Sequence, residues 1–301
     1  MRPMKITLRG GLASLALGLA GLAGCSTNPI TGRSQLTGLV SENEAIQGSA
    51  QAYKQMMSDL DKKQKIERPG DKDSARARKV QEITDRLIAQ AIKFRPDAAS
   101  WRWEVQVIND PKTVNAFCMA GGKMAIYSGM WEQVKATDDE LAQVMGHEIS
   151  HALLDHTRER MSIARSTSLG VSVLGAVAGV GSLGGQAMDT AAQLAITLPN
   201  SRESEAEADA VGIQLAAHAG YDPKAAVSLW EKMAKVGGGA PMEFLSTHPA
   251  PENRAATLKQ LGAKLEPVYL AAKADPPAAH RYVNVPAIPL GGVKPPPAAK
   301  N

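Results

Sequence analysis

From Ser74 to Phe94 apolar residues recur three and four apart, at Val80, Ile83, Leu87, Ile88 and Ile92, and that spacing predicts an amphipathic helix. Ser41-Glu42-Asn43-Glu44 has capping-box spacing and opens an earlier helix that runs to about Leu60. A second capping box, Thr137-Asp138-Asp139-Glu140, opens a helix whose buried face holds Leu141, Val144, Met145 and Ala152. Further helices are expected from about Ser201 to Gly220, from Pro223 to about Lys235, and from Pro251 to Leu261. Period-two alternation occurs only between Trp103 and Tyr127. WEVQVI comes first, then VNAFCM and KMAIYS on either side of Gly121-Gly122, which reads as a hairpin. The expected fold class is therefore α+β, mainly helical, with a small antiparallel sheet packed on the helices.

Three segments fall outside this pattern. Residues 1–24 combine Arg2, Lys5 and Arg9 with a short apolar run, and Leu22-Ala23-Gly24-Cys25 closes it with small residues before a cysteine. That ending resembles the lipobox of bacterial lipoproteins, which implies cleavage before Cys25 and lipidation of Cys25; an ordinary secretory signal is the plainer reading. The Ser/Thr/Gly-rich residues 25–40 then read as an extended linker from the lipid to a body at 41–265. Ser26 stands where aspartate is an inner-membrane retention signal, so the expected location is the periplasm, on the outer membrane.

The second outlier, Leu169 to Gly185 inside an insertion at about 162–199, is apolar but carries six glycines, which weaken any helix. It is also slightly short for a membrane span. It reads as a lid over a cleft, a membrane-touching hairpin or an oligomer contact. The third is the tail, 266–301, where eight prolines in thirty-six residues argue against a packed core.

Composition narrows the function. The chain has 301 residues and a net charge of +4, with 34 basic and 30 acidic residues interspersed and only 4% aromatics, so nucleic-acid binding has no basic face to rest on. Only two cysteines occur, Cys25 and Cys118; with the first lipidated no disulfide is expected, and Cys118 reads as a small buried strand residue.

The chemistry concentrates in VMGHEISHALLDH, Val144 to His156. His147 and His151 are four apart on one helix, so both can present nitrogens to one ion. Catalytic zinc takes three protein ligands and keeps a position for water, and Glu148 stands where it can take that water's proton. A metzincin register needs a glycine at 154 and a histidine at 157; Leu154 and Thr157 stand there instead. His156 misses by one position and reads as a solvent-facing or core-edge residue. A better third ligand lies in SRESEAEADAVG, where Glu205 and Asp209 share a helix face, so that Glu205 could bind zinc while Asp209 orients a ligand histidine. The same acids also read as a solvated charged face.

Four ordered motifs, VNAFCMAGGKMAIYSGM, GHEISHALLDHTRERMS, SRESEAEAD and STHPAPENR, together resemble the HtpX-like zinc metallopeptidases, gluzincins of metallopeptidase family 48, in their soluble periplasmic lipoprotein branch. The resemblance implies a zincin-like core, one zinc ion held by His147, His151 and Glu205, and Asp209 backing the ligands. It implies Glu148 as the catalytic base and His248 near the metal, either as an oxyanion stabiliser or as an occupant of the open coordination position. Asn115, Ala116 and Phe117 fall on the family's substrate-binding edge strand, where the substrate lies as an added strand. Ala120 departs from the proline often found before the Gly-Gly. Arg202 and Arg254 match family positions without an assigned role. The expected function is a zinc endopeptidase acting on misfolded cell-envelope proteins, tethered to the membrane through Cys25, with assembly partners or oligomers possible. Two rivals stand beside it. One is a non-catalytic zinc-containing binding or chaperone-like lipoprotein, the other an integral membrane metalloprotease.

Overall fold

The computed structural model describes residues 24–67, 75–177, 199–236 and 243–276. The targeting segment, most of the Gly-rich insertion and most of the Pro-rich tail lie outside the described residues. Side chains of the insertion helix are described only as far as residue 167.

The chain starts with two short strands, β1 (Cys25–Thr27) and β2 (Ser34–Leu36), paired antiparallel. Helices α1 (Glu42–Lys62) and α2 (Ala75–Phe94) follow, with the short strand β3 (Ile66–Glu67) between them. A 3-10 turn at Pro96–Ser100 leads to β4 (Glu104–Ile108), β5 (Ala116–Met119) and β6 (Lys123–Tyr127). Then come α3 (Gly129–Glu132), α4 (Asp138–Leu153), α5 (His156–Val177), α6 (Arg202–His218), α7 (Ala225–Val236), α8 (Glu243–Thr247) and α9 (Arg254–Ala274). This is the mainly helical α+β arrangement expected from the sequence.

Both capping boxes form. Ser41 accepts from the Glu44 N–H, Thr137 accepts from the Glu140 N–H, and each glutamate reaches back to its cap. Every residue from Glu140 to Leu153 is buried. A helix surrounded in this way must find partners for its polar side chains as well as its apolar ones. Around α4 stand α2, α6, α7 and β5. Leu87 and Ile88 of α2 join Leu141, Val144 and Met145 of α4 and Met124 and Ile126 of β6 in one core. Ala125 of β6 points to the opposite face, where Tyr53 and Met57 of α1 cover it. The sheet is thus covered on both sides.

The sheet order is β3-β4-β6-β5, and the sheet is mixed rather than antiparallel: β4 pairs with β6 in parallel, while β5–β6 is the expected antiparallel hairpin. Residues 109–115 are long enough to step across a strand's width, about 4.8 Å, and so the hairpin inserts its second strand beside β4. This leaves β5 on the sheet's edge.

Two expected boundaries move. Residues 25–40 are not an extended linker, because β1 and β2 dock on the body: Asn28 Nδ2 and Gln35 Nε2 both donate to the Leu154 carbonyl, at 3.0 and 2.8 Å. Those two amides are buried; they bond each other within the hairpin, and both also reach the Leu154 carbonyl, which ties the hairpin to the end of α4. At the other end α9 continues through Pro267 to Ala274, so the tail does not begin at 266. A proline removes one helical hydrogen bond, and contacts on either side of it hold the helix: before it Lys224 pairs with Glu266 at 2.6 Å, and beyond it Gly220, at φ +85° after α6, lies against the Ala272 backbone. No helix of the described residues is long and apolar enough to cross a membrane.

Candidate metal centre

Helix α4 carries His147 and His151 one turn apart, and α6 crosses it closely. At the crossing Gly146 faces Gly212; a Cβ on Gly212 would sit 2.7 Å from the His147 nitrogen, and one on Gly146 2.8 Å from the Gly212 carbonyl oxygen. Only backbone-to-backbone packing allows this approach. It brings Glu205, one end of α6, over the two histidines.

His147 Nε2 and His151 Nε2 are 3.0 Å apart, and Glu205 reaches them at 3.3 Å through Oε2 and Oε1 respectively. Donor atoms about 2.0–2.1 Å from a tetrahedral zinc ion stand about 3.3 Å from one another, so the two histidine nitrogens and the Glu205 carboxylate, which turns one oxygen to each, lie close to the spacing of a zinc ligand set. His248, just after α8, approaches as a fourth: its Nδ1 lies 2.9 Å from Glu205 Oε1 and 3.4 Å from His147 Nε2. All four residues are buried. The donor set, two or three imidazoles and one carboxylate with no thiolate, suits zinc in a catalytic rather than a structural site.

The charges are arranged around this point. Burial pulls the His147 imidazole down, but Glu205 and Asp209 together outweigh it and raise its pKa to about 10 in the metal-free protein. Burial holds His151 well below the usual histidine value. Burial opposes ionisation of Glu205 too, yet the surrounding histidines keep its carboxyl far below the usual range. Glu148 is pushed up by burial, only partly countered by His248 and His147. Its Oε1 is buried with no hydrogen-bond partner among the described residues; His248 Nε2 stands 3.4 Å away. Such an orphaned carboxylate oxygen costs stability unless a ligand or reactant meets it.

Asp209 lies behind His147, its Oδ1 3.0 Å from Nδ1, although the ring's N–H does not point along that line. Arg254, the first residue of α9, grips Asp209 with Nε at 2.7 Å and Nη2 at 2.8 Å, and the same Nη2 reaches Glu205 at 3.0 Å. Its guanidinium stacks 3.4 Å over the Trp230 ring. Arg202 by contrast is exposed, with a 3.5 Å contact to an exposed Glu252.

His156 corrects the expectation of a solvent-facing or core-edge residue. It is 1% exposed, and its Nδ1 lies 2.8 Å from His151 Nδ1, so it stands directly behind His151. Of the four neighbouring acids, Glu203 is exposed, while Glu205, Glu207 and Asp209 all turn inward to named partners. A solvated face therefore describes only the first.

Ala116, Phe117 and Cys118 of β5 line the same cleft as Glu148, His151 and His248. Asn115 lines it as well, but its side-chain amide already donates to Glu243 at 3.0 Å, which ties α8, and with it His248, to the strand. Cys118 is buried. Sequence reasoning passed over Arg160, which also lines the cleft: burial lowers its pKa to about 10, and its Nε is buried without a partner among the described residues. No local signal marks it.

A buried His-His-Glu constellation with a free carboxylate beside it, on a mainly helical core with an edge strand along the cleft, defines a zincin-like metallopeptidase architecture. Residues 74–262 match Peptidase family M48, and the chain belongs to that family. It is 39% identical over 158 residues to the mitochondrial metalloendopeptidase OMA1 of Arabidopsis thaliana, which covers 52% of this chain and 31% of that protein. Metalloprotease LoiP of Escherichia coli is 36% identical over 146 residues, 48% of this chain and 57% of that one. Metalloprotease YcaL of the same organism is 29% identical over 252 residues, 81% of this chain and 93% of the relative. The chain spans about a third to a half of the length of the plant and yeast OMA1 proteins it matches, 31% and 49%.

Proposed function

We propose that the protein is a zinc endopeptidase in which His147, His151 and Glu205 hold the metal and Glu148 is the general base. One observation carries this reading. Two histidine nitrogens 3.0 Å apart each lie 3.3 Å from one oxygen of the Glu205 carboxylate, close to tetrahedral ligand spacing, next to a buried Glu148 oxygen that lacks a partner among the described residues. Bound there, zinc supplies Lewis acidity to the scissile carbonyl and acidifies the attacking water towards a pKa of about 7. Glu148, whose carboxylate is buried beside this corner, would take a proton from the attacking water and return it to the departing amine. The edge strand β5 holds the substrate as an added strand, with Ala116 and Phe117 lining the cleft and Asn115, whose Oδ1 accepts from the Ala116 N–H, shaping the strand's start. Asp209, clamped by Arg254, keeps His147 oriented.

His248 supports two roles. As an oxyanion stabiliser it would donate to the developing negative charge; as a ligand of a resting form it would close the fourth position. Its Nδ1 contacts to Glu205 and His147 favour the second in the conformation seen.

The substrate class we infer is unfolded or misfolded protein of the cell envelope, since an edge strand reads backbone rather than side chains. The lipobox-like LAGC and the exposed Cys25 support lipid tethering on the periplasmic side of the outer membrane. Labelling with a fatty acid that is lost in Cys25→Ala tests the tether. The catalytic reading is tested by Glu148→Gln: the expected protein retains one zinc per chain by elemental analysis and loses cleavage of casein. Undiminished cleavage would overturn the mechanism. A wild-type protein that holds zinc but cleaves no peptide would favour the non-catalytic alternative.

A further inference from the structure

His151 has its Nε2 in the metal corner and its Nδ1 2.8 Å from His156 Nδ1. On its far side His156 Nε2 lies 3.1 Å from Glu207 Oε2. Proton positions follow from elementary constraints. A carboxylate oxygen only accepts, so the proton on His156 sits on Nε2, facing Glu207. A neutral imidazole carries one proton, which leaves His156 Nδ1 as an acceptor. His151 Nδ1 must then donate, and its lone pair is left on Nε2, the nitrogen aimed at Glu205 and His147. Reversing any one proton would set two donors or two lone pairs face to face.

The bridging imidazole has a geometric reason. Positions 205 and 207 are about 200° apart around a helix, so with Glu205 turned to the metal, Glu207 points away from it. Its carboxylate can act on His151 only through an intermediary. Glu207 is itself held by Arg33, whose Nε lies 2.6 Å from Oε2 while its two Nη atoms fork onto Glu159 at 2.9 and 2.7 Å. Arg33 sits in the turn between β1 and β2, and that hairpin is pinned to the Leu154 carbonyl at the end of α4 by Asn28 and Gln35. His147 is served more directly, by Asp209 and Arg254. Each ligand histidine thus has an acid from α6 and an arginine from a distant segment behind it.

We propose that Arg33, Glu207 and His156 form a positioning chain that fixes the tautomer and orientation of His151 for zinc, so that the hairpin next to Cys25 is a working part of the metal centre. This rests on the reading of the cluster as a zinc site. Outer partners of metal-binding histidines typically change metal affinity by about 10–100-fold when removed.

The experiment measures zinc release from the loaded full-length chain to a chromophoric chelator, alongside the melting temperature of the metal-free protein. His156→Phe keeps the ring and removes both nitrogens; release is expected to be about 10–100-fold faster. Arg33→Met and Glu207→Gln should shift release in the same direction by less. His156→Asn, which offers a carbonyl oxygen where Nδ1 stood, should slow release again relative to His156→Phe. A purely structural role would lower the metal-free melting temperature without this rescue. Should His156→Phe fail to fold, Arg33→Met and Glu207→Gln decide. Wild-type release rates in folded variants would overturn the positioning chain while leaving the zinc site standing. A wild-type chain that binds no zinc would overturn the site reading itself.

Discussion

Gly146 and Gly212 touch backbone to backbone where α4 crosses α6, and this contact sets the distance from Glu205 to the two histidines. A glycine inside a helix costs about 1 kcal/mol relative to alanine, so its presence at both positions reflects the crossing rather than helix formation.

Gly212→Ala places a methyl 2.7 Å from the His147 nitrogen and 2.9 Å from the Gly146 carbonyl carbon, and backbone cannot swing aside. Overpacking of this kind costs about 1–3 kcal/mol, against a helix-propensity gain of about 1 kcal/mol. The expected result is a less stable metal-free protein by denaturant titration, with weaker zinc retention because Glu205 is pushed away. A variant stabilised by the full propensity gain would show that the crossing is not tight.

Arg254→Met removes the guanidinium that reaches both Asp209 and Glu205 at hydrogen-bond distance. Leaving buried carboxylates uncompensated costs about 3–5 kcal/mol. Zinc brings positive charge back to the same place, so the thermal shift on adding zinc, read by calorimetry in chelator and in metal, should be larger for the variant than for the wild type. Equal shifts would separate Arg254 from the metal centre.

His248→Ala distinguishes the two roles of that residue. Loss of an oxyanion donor lowers kcat by about 10²–10³-fold. If His248 closes the resting form, basal cleavage of a short peptide rises instead, and zinc dissociates faster. Steady-state kinetics with a fluorogenic peptide reads the difference.

Glu140 ties the start of α4 to α7: besides its capping bond to Thr137 it accepts from Ser228 at 2.6 Å and Lys232 at 2.7 Å. Its carboxyl resists burial's upward push and is held below the ordinary 4.5 by Lys232 and Ser228. A depressed carboxylate stabilises the fold above its unfolded pKa and ceases to do so as pH falls through its folded value. Glu140→Gln should therefore be less stable by about 1–2 kcal/mol at pH 7, and the gap should close as the pH falls below 4.5. Chemical denaturation across pH 3 to 8 checks it. A gap independent of pH would mean that the ionised form does not matter.

Short-range features were legible from the chain alone. The capping boxes at Ser41 and Thr137, the α2 periodicity and the i, i+4 placement of His147 and His151 each depend on residues within a turn or two, and all form as read. The β5–β6 hairpin was equally local. The parallel pairing of β4 with β6 was not, because strand order depends on which side of β4 the hairpin inserts. His156 was misplaced for a related reason: its register in the motif excluded it as a ligand, but its partner Glu207 lies 51 residues on.

The sequence by itself determined which residues could share one face, since a helix puts positions four apart on one side, and the His147–His151 pair, Glu148 and the Glu205–Asp209 pair are recognisable from spacing. Only the tertiary structure decided what stands behind them. Arg33 reaches Glu207 across 174 residues, Arg254 reaches Asp209 across 45, and the Gly146–Gly212 crossing brings the ligand helices together. None of these leaves a periodic trace in the chain, because a side chain that meets a distant partner obeys the geometry of packing, not the period of its own helix.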